Sequence, residues 1–576
     1  SKWPVLRPGT NEVSYLRADL FKHAIYETFD AASGERRELL ELNAGAGPSA
    51  WTSDAKRLLF TRATIEENVY TFQDLFVHDT ARGTTTRLTT SERAREPMPS
   101  PDGTKLVYVR NRAGTMELVV RGFDERGASR DEHVLVSGLD HPWDDDRHWQ
   151  QIATPVWSPD GKHIVFSWWR LDLRQRDLWS IDVVTGELEP LMRDEAMDLD
   201  PYFGPDGLLY FSSDRSGIYN IYAMELTTRT VWQLTNVVSG VFTPRPSADG
   251  RAIYVTTYGK RGYDIARFNR PRLEGMPVAD ASTRHAVWRG YPEIDEALTP
   301  GPYRPMRWMA PLVLFPSLSA ATSGAALSAN VQGYDPLRRH IYSASAGLLI
   351  GAQGVDINPS VSLNYTTDVL PVDFALAAAY NQFPRNNALF VNSQFVPYLE
   401  QQAFGRATVR YPFRDIDDGV TLSGSYALDW RAFVERPEPR LDPGSAEPQD
   451  PPLGLFNEAT LSLSYADIER LPYSISIERG VNASISLSVQ HPALGSDFEA
   501  VTIQGGGAAY MPIPWLERHV LSVSGFGGFI DTTFNERAAF AIGGLGPQNL
   551  FNALIFQAPT GGRRVRGYAP FASSGN

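Results

Sequence analysis

Apolar and polar residues alternate with a two-residue period along the C-terminal half of the chain. The longest example is YSISIERGVNASISLSVQ at residues 473–490, where most odd positions are apolar and most even positions are serine or another polar residue. Successive side chains of a β-strand point to opposite faces, so the pattern predicts a strand with one apolar and one polar face. The alternation recurs at residues 327–332, 361–366, 372–380, 420–430 and 460–465.

About ten strands of this kind are predicted beyond residue 317. They lie near residues 324–334, 339–351, 358–367, 371–383, 398–412, 418–434, 456–468, 472–490, 497–511 and 517–530. Their polar faces are rich in serine, and their apolar faces repeatedly end in an aromatic residue such as Trp430 or Tyr465. Apolar outer bands bordered by aromatic side chains are typical of outer-membrane β-barrels. A soluble β-sandwich also alternates and is the alternative interpretation.

The N-terminal half contains a repeated turn and strand. The clearest copies are PSPDGTKLVYV from Pro99, WSPDGKHIVFS from Trp157, FGPDGLLYFSS from Phe203 and PSADGRAIYVT from Pro246, with weaker copies from Leu6 and Trp51. Proline, aspartate and glycine each favour a tight turn, and an apolar strand follows. A second strand and turn come next, as in DLWSIDVVTGELEPL. Four short strands in about 40 to 50 residues predict a propeller blade, and six blades fit before residue 270.

These repeats resemble the TolB-like propeller repeats of periplasmic proteins, which also precede the catalytic domain of prolyl-oligopeptidase-type peptidases. The resemblance implies a platform that binds other molecules. The turn residues Asp102, Asp160 and Asp206 are therefore expected to cap turns. An insertion near residues 126–151 is rich in Asp and His. Its run from Asp144 to Asp146 with His148 offers cation ligands, although a solvated loop is the favoured interpretation.

Proline becomes frequent between the two halves. Residues 271–316 include RPRLEGMP and YPEIDEALTPGPYRPMRWMAP, which predict an extended connector. The predicted organisation is a propeller at residues 1–270, a proline-rich linker at 271–316 and an outer-membrane barrel at 317–576. We expect the chain to be a segment of a longer protein that lacks its signal peptide. We also expect the barrel to be partial, with its final strands beyond residue 576.

A glycine-rich motif lies near the end of the chain. FAIGG ends at Gly543 and Gly544, and GGRRVRGY ends at Arg566, Gly567 and Tyr568. The motif resembles the signature of BamA-like outer-membrane assembly factors, the bacterial surface antigen superfamily, whose sixth outer loop folds into the barrel lumen. By that resemblance Arg566 is the cation placed in the lumen, Gly567 permits the reversal and Tyr568 packs behind it. That family carries other modules before its barrel, where this chain has a propeller.

Composition narrows the classes of function. The net charge of −13 argues against a nucleic-acid partner, and the absence of cysteine excludes thiolate catalysis and disulfides. The sequence contains no Gly-x-Ser-x-Gly, His-Glu-x-x-His, phosphate-binding loop or dinucleotide fingerprint. We therefore expect a protein that is not an enzyme and uses no cofactor or metal.

The combined prediction is an all-β outer-membrane protein with a six-bladed propeller in the periplasm. Its predicted function is insertion of polypeptides into the outer membrane or their translocation across it. The expected partners are outer-membrane lipid, unfolded or secreted polypeptide, and periplasmic proteins bound by the propeller. Two alternatives are a binding or scaffold protein anchored by the barrel, and a propeller-gated hydrolase whose catalytic part lies outside this chain.

Overall fold

The computed structural model describes two compact units built almost wholly of β-strands. The described residues are 1–18, 22–42, 45–68, 70–124, 127–142, 144–260, 262–273, 302–321, 324–351, 357–370, 372–391, 394–416, 418–437, 450–471, 473–532, 540–543, 563–564 and 573–575. One unit is Ser1–Thr299 with Leu471–Ser474, and the other is Pro300–Arg470 with Ile475–Asn576. Within the described ranges, no helix has the length and apolar character needed to cross a bilayer.

The first unit is a six-bladed β-propeller, as predicted. The blades are antiparallel sheets in chain order: β1–β4 (Lys2–Leu6, Glu12–Arg17, Ala24–Asp30, Arg36–Leu42), β5–β8 (Ala50–Trp51, Arg57–Glu66, Tyr70–Asp79, Thr84–Arg87), β9–β12 (Ala94–Pro99, Lys105–Arg112, Thr115–Asp124, Gly127–Ser137), β13–β16 (Gln150–Trp157, His163–Arg170, Gln175–Asp182, Leu188–Pro190), β17–β20 (Asp198–Phe203, Leu209–Ser213, Asn220–Met224, Val231–Gln233) and β21–β23 (Val241–Pro246, Ala252–Gly259, Gly262–Asn269). The sixth blade has three strands among the described residues.

Apolar side chains on both faces of the blades hold the propeller together. Val107 and Leu118 of the third blade pack in one cluster with Ile164 and Phe166 of the fourth. The opposite face of the fourth blade joins the fifth in a second cluster. A strand buried on both faces has a nearly continuous apolar sequence, which explains runs such as LVYV in β10 and IVF in β14.

The N-terminal residues close the ring against the sixth blade. The Trp3 amide donates to Thr256 Oγ1 over 3.1 Å, and the Ser1 ammonium donates to the Tyr263 carbonyl over 2.6 Å. Lys2 Nζ lies 4.1 Å from the centre of the Tyr263 ring. Because β1 is the inner strand of the first blade, these contacts join the first and last repeats of the chain.

The second unit contains one large antiparallel sheet. Its strands are β24 (Val313–Ala321), β25 (Gly324–Tyr334), β26 (His340–Gly351), β27 (Ile357–Thr367), β28 (Asp373–Val391), β29 (Gln394–Arg414), β30 (Asp418–Phe433), β32 (Glu458–Glu469), β33 (Arg479–Gln490), β34 (Ala500–Pro512) and β35 (Val520–Thr532), in that spatial order. A short strand, β31 (Gly454–Leu455), also pairs with β30. A separate small sheet contains β36 (Phe540–Gly543), β37 (Arg563–Arg564) and β38 (Ser573–Gly575).

All ten predicted strands have a counterpart, although several bounds differ; β28, for example, continues to Val391, beyond the predicted end at residue 383. The structure adds β24, which begins inside the residues assigned to the linker. The predicted strand at 472–490 was too long, because β33 begins at Arg479. Its neighbour β32 ends at Glu469, the partner of Arg479, so residues 473–478 lie in the connection. On the other side, Pro512 ends β34 and has no N–H to donate.

The two faces of the large sheet differ in exposure, and the apolar face is the more exposed. Leu422 and Leu428 are 42% and 52% exposed, whereas Ala427 and Asp429 on the same strand are buried. Cross-strand partners keep each face uniform. One row contains Tyr411, Leu422, Leu463 and Ile485, and the neighbouring row on the other face contains Arg410, Ser423, Ser462 and Ser486. A water-soluble sheet usually has the opposite arrangement of exposure.

The contact between the third and fourth blades predicts a measurable loss of stability. Ile164→Ala should lower the free energy of unfolding by about 2–4 kcal/mol, because the fully buried side chain leaves a cavity. Val184→Ala is the control, because Val184 is 88% exposed and should change stability by less than about 0.5 kcal/mol. Urea unfolding followed by tryptophan fluorescence measures both. Equal losses in the two variants would contradict this packing.

Candidate functional site

The residues singled out by the glycine-rich motif fall mostly outside the described part of the chain. Gly543 is the last residue of β36. Gly544, Arg566, Gly567 and Tyr568 lie outside the described residues. The lumen-loop assignment therefore stays a prediction.

The aspartates of the repeated turns act as caps. Asp102 Oδ1 accepts from Ser100 Oγ over 2.5 Å and from the Thr104 amide over 3.1 Å, and Asp160 makes the same two kinds of contact. Asp206 accepts from the Tyr210 hydroxyl over 2.8 Å. These hydrogen bonds fix the turn between the first and second strands of a blade.

The acidic insertion does not gather its candidate ligands in the described structure. Asp145 caps a single 3-10 turn, Asp146–His148, and pairs with Arg147 over 2.5 Å. His148 is buried, with Nδ1 3.2 Å from the His141 carbonyl. Asp144 is exposed to solvent. This arrangement matches the solvated-loop interpretation.

A ring of X-Pro dipeptides lies on or just before the inner strands and was missed in the sequence. They are Trp3-Pro4, Gly47-Pro48, Glu96-Pro97, Thr154-Pro155, Asp200-Pro201 and Thr243-Pro244. In five of them the first residue has a φ between 48° and 56°. The strand pairing shifts register at each of these five positions, so each is a β-bulge. We call Trp3, Glu96, Thr154, Asp200 and Thr243 the axial belt.

Side chains from neighbouring blades satisfy amides of the axial belt. Glu96 Oε2 accepts from the Thr154 amide over 2.5 Å, and Asp200 Oδ2 accepts from the Thr243 amide over 3.1 Å. A bulged residue leaves the ladder, so its amide needs another acceptor. The Glu96 contact joins the third blade to the fourth, and the Asp200 contact joins the fifth blade to the sixth. The hydrogen bond from the Trp3 amide to Thr256 joins the first blade to the sixth.

Charges of both signs surround the belt. Burial raises the pKa of Glu96 and of Asp200, and nearby arginines oppose the rise. Burial also lowers the pKa of Arg245, whose guanidinium lies 4.4 Å from the centre of the Tyr202 ring. Burial lowers the pKa of Arg176 as well, against the fields of Glu96 and Asp200. The axis is therefore a polar, partly dehydrated region of a largely apolar domain.

A cleft of about 720 Å³ lies on the propeller between the turns of its first, fifth and sixth blades. Its lining includes Arg7, Tyr202, Phe203, Tyr254 and Arg267, together with prolines of the three turns. Arg7 also contacts Glu12 over 2.6 Å. Aromatic and proline surfaces pack on apolar side chains, and guanidinium groups bind carboxylates. The cleft chemistry suits an extended polypeptide segment.

Three carboxylates meet where the fourth blade joins the fifth. Oxygen atoms of Asp177, Asp194 and Asp198 lie within 4.8 Å of one another. Arg215 Nη2 lies 3.0 Å from Asp198 Oδ1 and 3.2 Å from Asp194 Oδ2. The guanidinium already supplies the positive charge beside these oxygens, so we do not identify the group as metal ligands. Sequence reasoning missed the group because Asp177 lies in β15, Asp194 in the loop after β16 and Asp198 in β17.

The geometry defines a six-bladed propeller, and comparisons with known proteins show its type. Residues 148–278 match the family described as PD40, the TolB beta propeller domain. The Tol-Pal system protein TolB of Francisella tularensis subsp. mediasiatica is 30% identical over 141 residues, which cover 23% of this chain and 29% of that protein. The uncharacterized peptidase YuxL of Bacillus subtilis is 30% identical over 120 residues, which cover 20% and 18%. The propeller domain is therefore TolB-like.

Among solved structures, a putative TolB from Agrobacterium tumefaciens is similar at 20% identity with a TM-score of 0.35. The alignment covers 43% of this chain and 84% of that one. This chain spans less than a third of the length of the curated relatives described above.

The contact between Glu96 and Thr154 predicts that substitution of Glu96 by alanine and by glutamine will have different effects on stability. Glu96→Ala should lower the free energy of unfolding by about 1–3 kcal/mol, because the half-buried Thr154 amide loses its acceptor. Glu96→Gln keeps an acceptor oxygen and should cost less. The pKa of Glu96 in the folded protein lies above its ordinary value of 4.5, so the folded state favours the protonated carboxyl. The resulting stabilisation is present at low pH and is lost as the pH rises through the folded pKa.

Glu96→Gln should therefore flatten the fall in stability with rising pH. Urea unfolding at pH 5 and pH 8 measures it, with Glu35→Gln at an exposed position as the control. An unchanged pH dependence in Glu96→Gln, or equal stability of the Ala and Gln variants, would contradict the assignment.

Proposed function

We propose that the large sheet spans the outer membrane as part of a β-barrel and that the propeller lies in the periplasm. The observation that carries this proposal is the exposure of the apolar face, where Leu422, Leu463 and Ile485 form one cross-strand row and are 42%, 45% and 53% exposed. Exposed apolar patches of this extent on a soluble domain favour aggregation unless a partner or lipid covers them.

Strand length supports the same proposal. β32 and β33 have 12 residues each, and β34 and β35 have 13 each. A tilted strand needs about 9 to 11 residues to cross the hydrocarbon core of a bilayer. Antiparallel neighbours on both sides also pair the backbone groups of the inner strands of the sheet, from β25 to β34, and lipid requires such pairing.

The other face of the sheet suits a water-filled lumen. Hydroxyl pairs cross between neighbouring strands: Ser317 to Ser328 over 2.7 Å and Ser345 to Ser362 over 2.8 Å. Asp429 and Arg431 form an ion pair of 2.7 Å near one end. Small polar side chains keep a lumen hydrated without filling it.

We propose that the protein inserts polypeptides into the outer membrane or moves them across it, with the propeller as their receptor. The cleft with Tyr202, Phe203 and Tyr254 supports binding of an extended segment. The relationship to a Tol-Pal system protein supports a role in the cell envelope. The resemblance of the Arg566 motif to assembly factors supports the transport step. On this proposal the protein is not an enzyme and needs no cofactor.

Two variants on one strand test whether the apolar face meets lipid. Leu463→Arg should lower the free energy of unfolding in phosphatidylcholine vesicles by about 2–4 kcal/mol, because it places a charge in hydrocarbon. Ser462→Arg, on the other face, should lower it by less than about 1 kcal/mol. Urea titration of the full chain in vesicles measures both. If the face meets water, Leu463→Arg changes stability by less than about 0.5 kcal/mol and the protein stays dispersed without detergent.

Arg566→Ala separates transport from simple anchoring. If Arg566 acts in the barrel lumen, the variant should insert an unfolded outer-membrane polypeptide into vesicles more slowly than the wild type, with the propeller still folded. Arg436→Ala is the matched control, because Arg436 is exposed and pairs with Asp450. Wild-type rates in the Arg566 variant would favour a scaffold whose barrel is only an anchor.

A further inference from the structure

In the second and fifth blades, a residue of the third strand holds the loop that leaves the blade. In the second blade, Asp74 accepts from Thr89 Oγ1 over 2.8 Å and from the Ser91 and Glu92 amides over 3.0 and 3.1 Å. In the fifth blade, Asn220 Oδ1 accepts from Thr235 Oγ1 over 2.9 Å and from the Val237 amide over 3.0 Å. In both blades a threonine lies fifteen residues after the acceptor.

The fourth blade departs from this arrangement. Asp177 occupies the acceptor position, but Met192 stands where the second and fifth blades have threonine. Asp177 keeps a contact of 3.3 Å from the Asp194 amide, and its side chain is almost fully buried. A thioether cannot donate a hydrogen bond, so Asp177 has fewer donors than Asp74 or Asn220.

The charged groups around Asp177 also distinguish the fourth blade from the second and fifth. Asp194 belongs to the loop between the blades, Asp198 begins β17, and Arg215 follows β18 and contacts both. The other charged group of the loop that acts on Asp177 is Arg193. β14 places Trp168 opposite Asp177. Three ionised carboxylates around one bound guanidinium would leave unbalanced negative charge in a buried region, which is strongly unfavourable.

We propose that Asp177 is a proton-dependent latch, which holds the loop from Leu191 to Met197 when protonated and loosens it when ionised. Burial raises the pKa of the neighbouring Asp198 to about 7 as well, although Arg215 opposes that rise. Arg215 contacts Asp198 and Asp194, and Asp177 makes no ion pair among the described residues, so we assign the proton to Asp177. Loosening the loop weakens the joint between the fourth and fifth blades, because Met192 packs in the cluster that these blades share. The latch is independent of whether the large sheet enters a membrane.

The direction of the pH effect follows from the environment of the carboxyl. Burial raises the pKa of Asp177 to about 7, and the fields of Asp198 and Asp194 add to the rise. Because the folded pKa exceeds the ordinary value of 3.8, the stabilisation is complete below that value and is lost as pH rises through about 7. The latch therefore loosens between slightly acidic and slightly alkaline pH.

Hydrogen exchange of the full chain tests the latch. After correction for intrinsic rates, protection of amides in residues 191–197 should fall about tenfold between pH 6 and pH 8 in the wild type. Asp177→Asn should abolish this fall, because an amide does not titrate and Asn220 already fills the equivalent position. The loop at Thr89, held by Asp74, is the internal control and should show no such fall. A flat profile in the wild type, or an unchanged fall in Asp177→Asn, overturns the proposal.

A second variant keeps the test decisive if Asp177→Asn does not fold. Asp194→Asn removes one negative neighbour and retains an oxygen that can accept from the Ala196 amide, as Asp194 does over 2.8 Å. The loss of protection should then move to lower pH, because Asp177 ionises more readily with less repulsion. A transition at the wild-type pH would count against Asp177 as the titrating group.

Discussion

Pairing of each backbone amide with a strand that is close in sequence is the constraint on which both units depend. Buried amide groups must find partners, and antiparallel neighbours joined by short turns supply them with little loss of chain entropy. The units differ in what covers the faces of the paired strands. Propeller blades cover one another, so both faces are apolar. The large sheet keeps one polar face, and its apolar face is exposed.

Regular antiparallel pairing of backbone groups is interrupted at the axis of the propeller. Inner strands converge there, and five of them contain a bulge with a residue of positive φ that is not glycine. Such a backbone costs about 1–3 kcal/mol at each position and persists only when its surroundings fix it. Glu96 and Asp200 do so by accepting the amide of the next bulged blade. The strained positions thereby link neighbouring blades, and polar contacts help to set their order around the ring.

The sequence predicts the parts of this fold that depend on local chemistry. Turn residues such as Asp102 and the strands after them follow from residue type and spacing. The positive φ of Glu96 could not be predicted, because proline normally drives the preceding residue to the extended region. β24 was missed because Pro316 suggests a linker, yet proline is tolerated in an edge strand, and β24 pairs on one side among the described strands. The meeting of Asp177 with Asp198 depends on packing between blades, which no local pattern encodes.

The two units differ in where their strands contain bulges. A bulge moves the following side chains to the opposite face of a strand. In a blade with apolar residues on both faces, that change is tolerated, and the inner strands contain such bulges. From β29 to β35 the main-path pairs described by the structure have no register shift. One shift there would place leucine among the serines of the polar face. The uninterrupted register is therefore what keeps Leu463 and Ser462 on opposite faces, and it is the structural basis for two different environments on the two sides of the sheet.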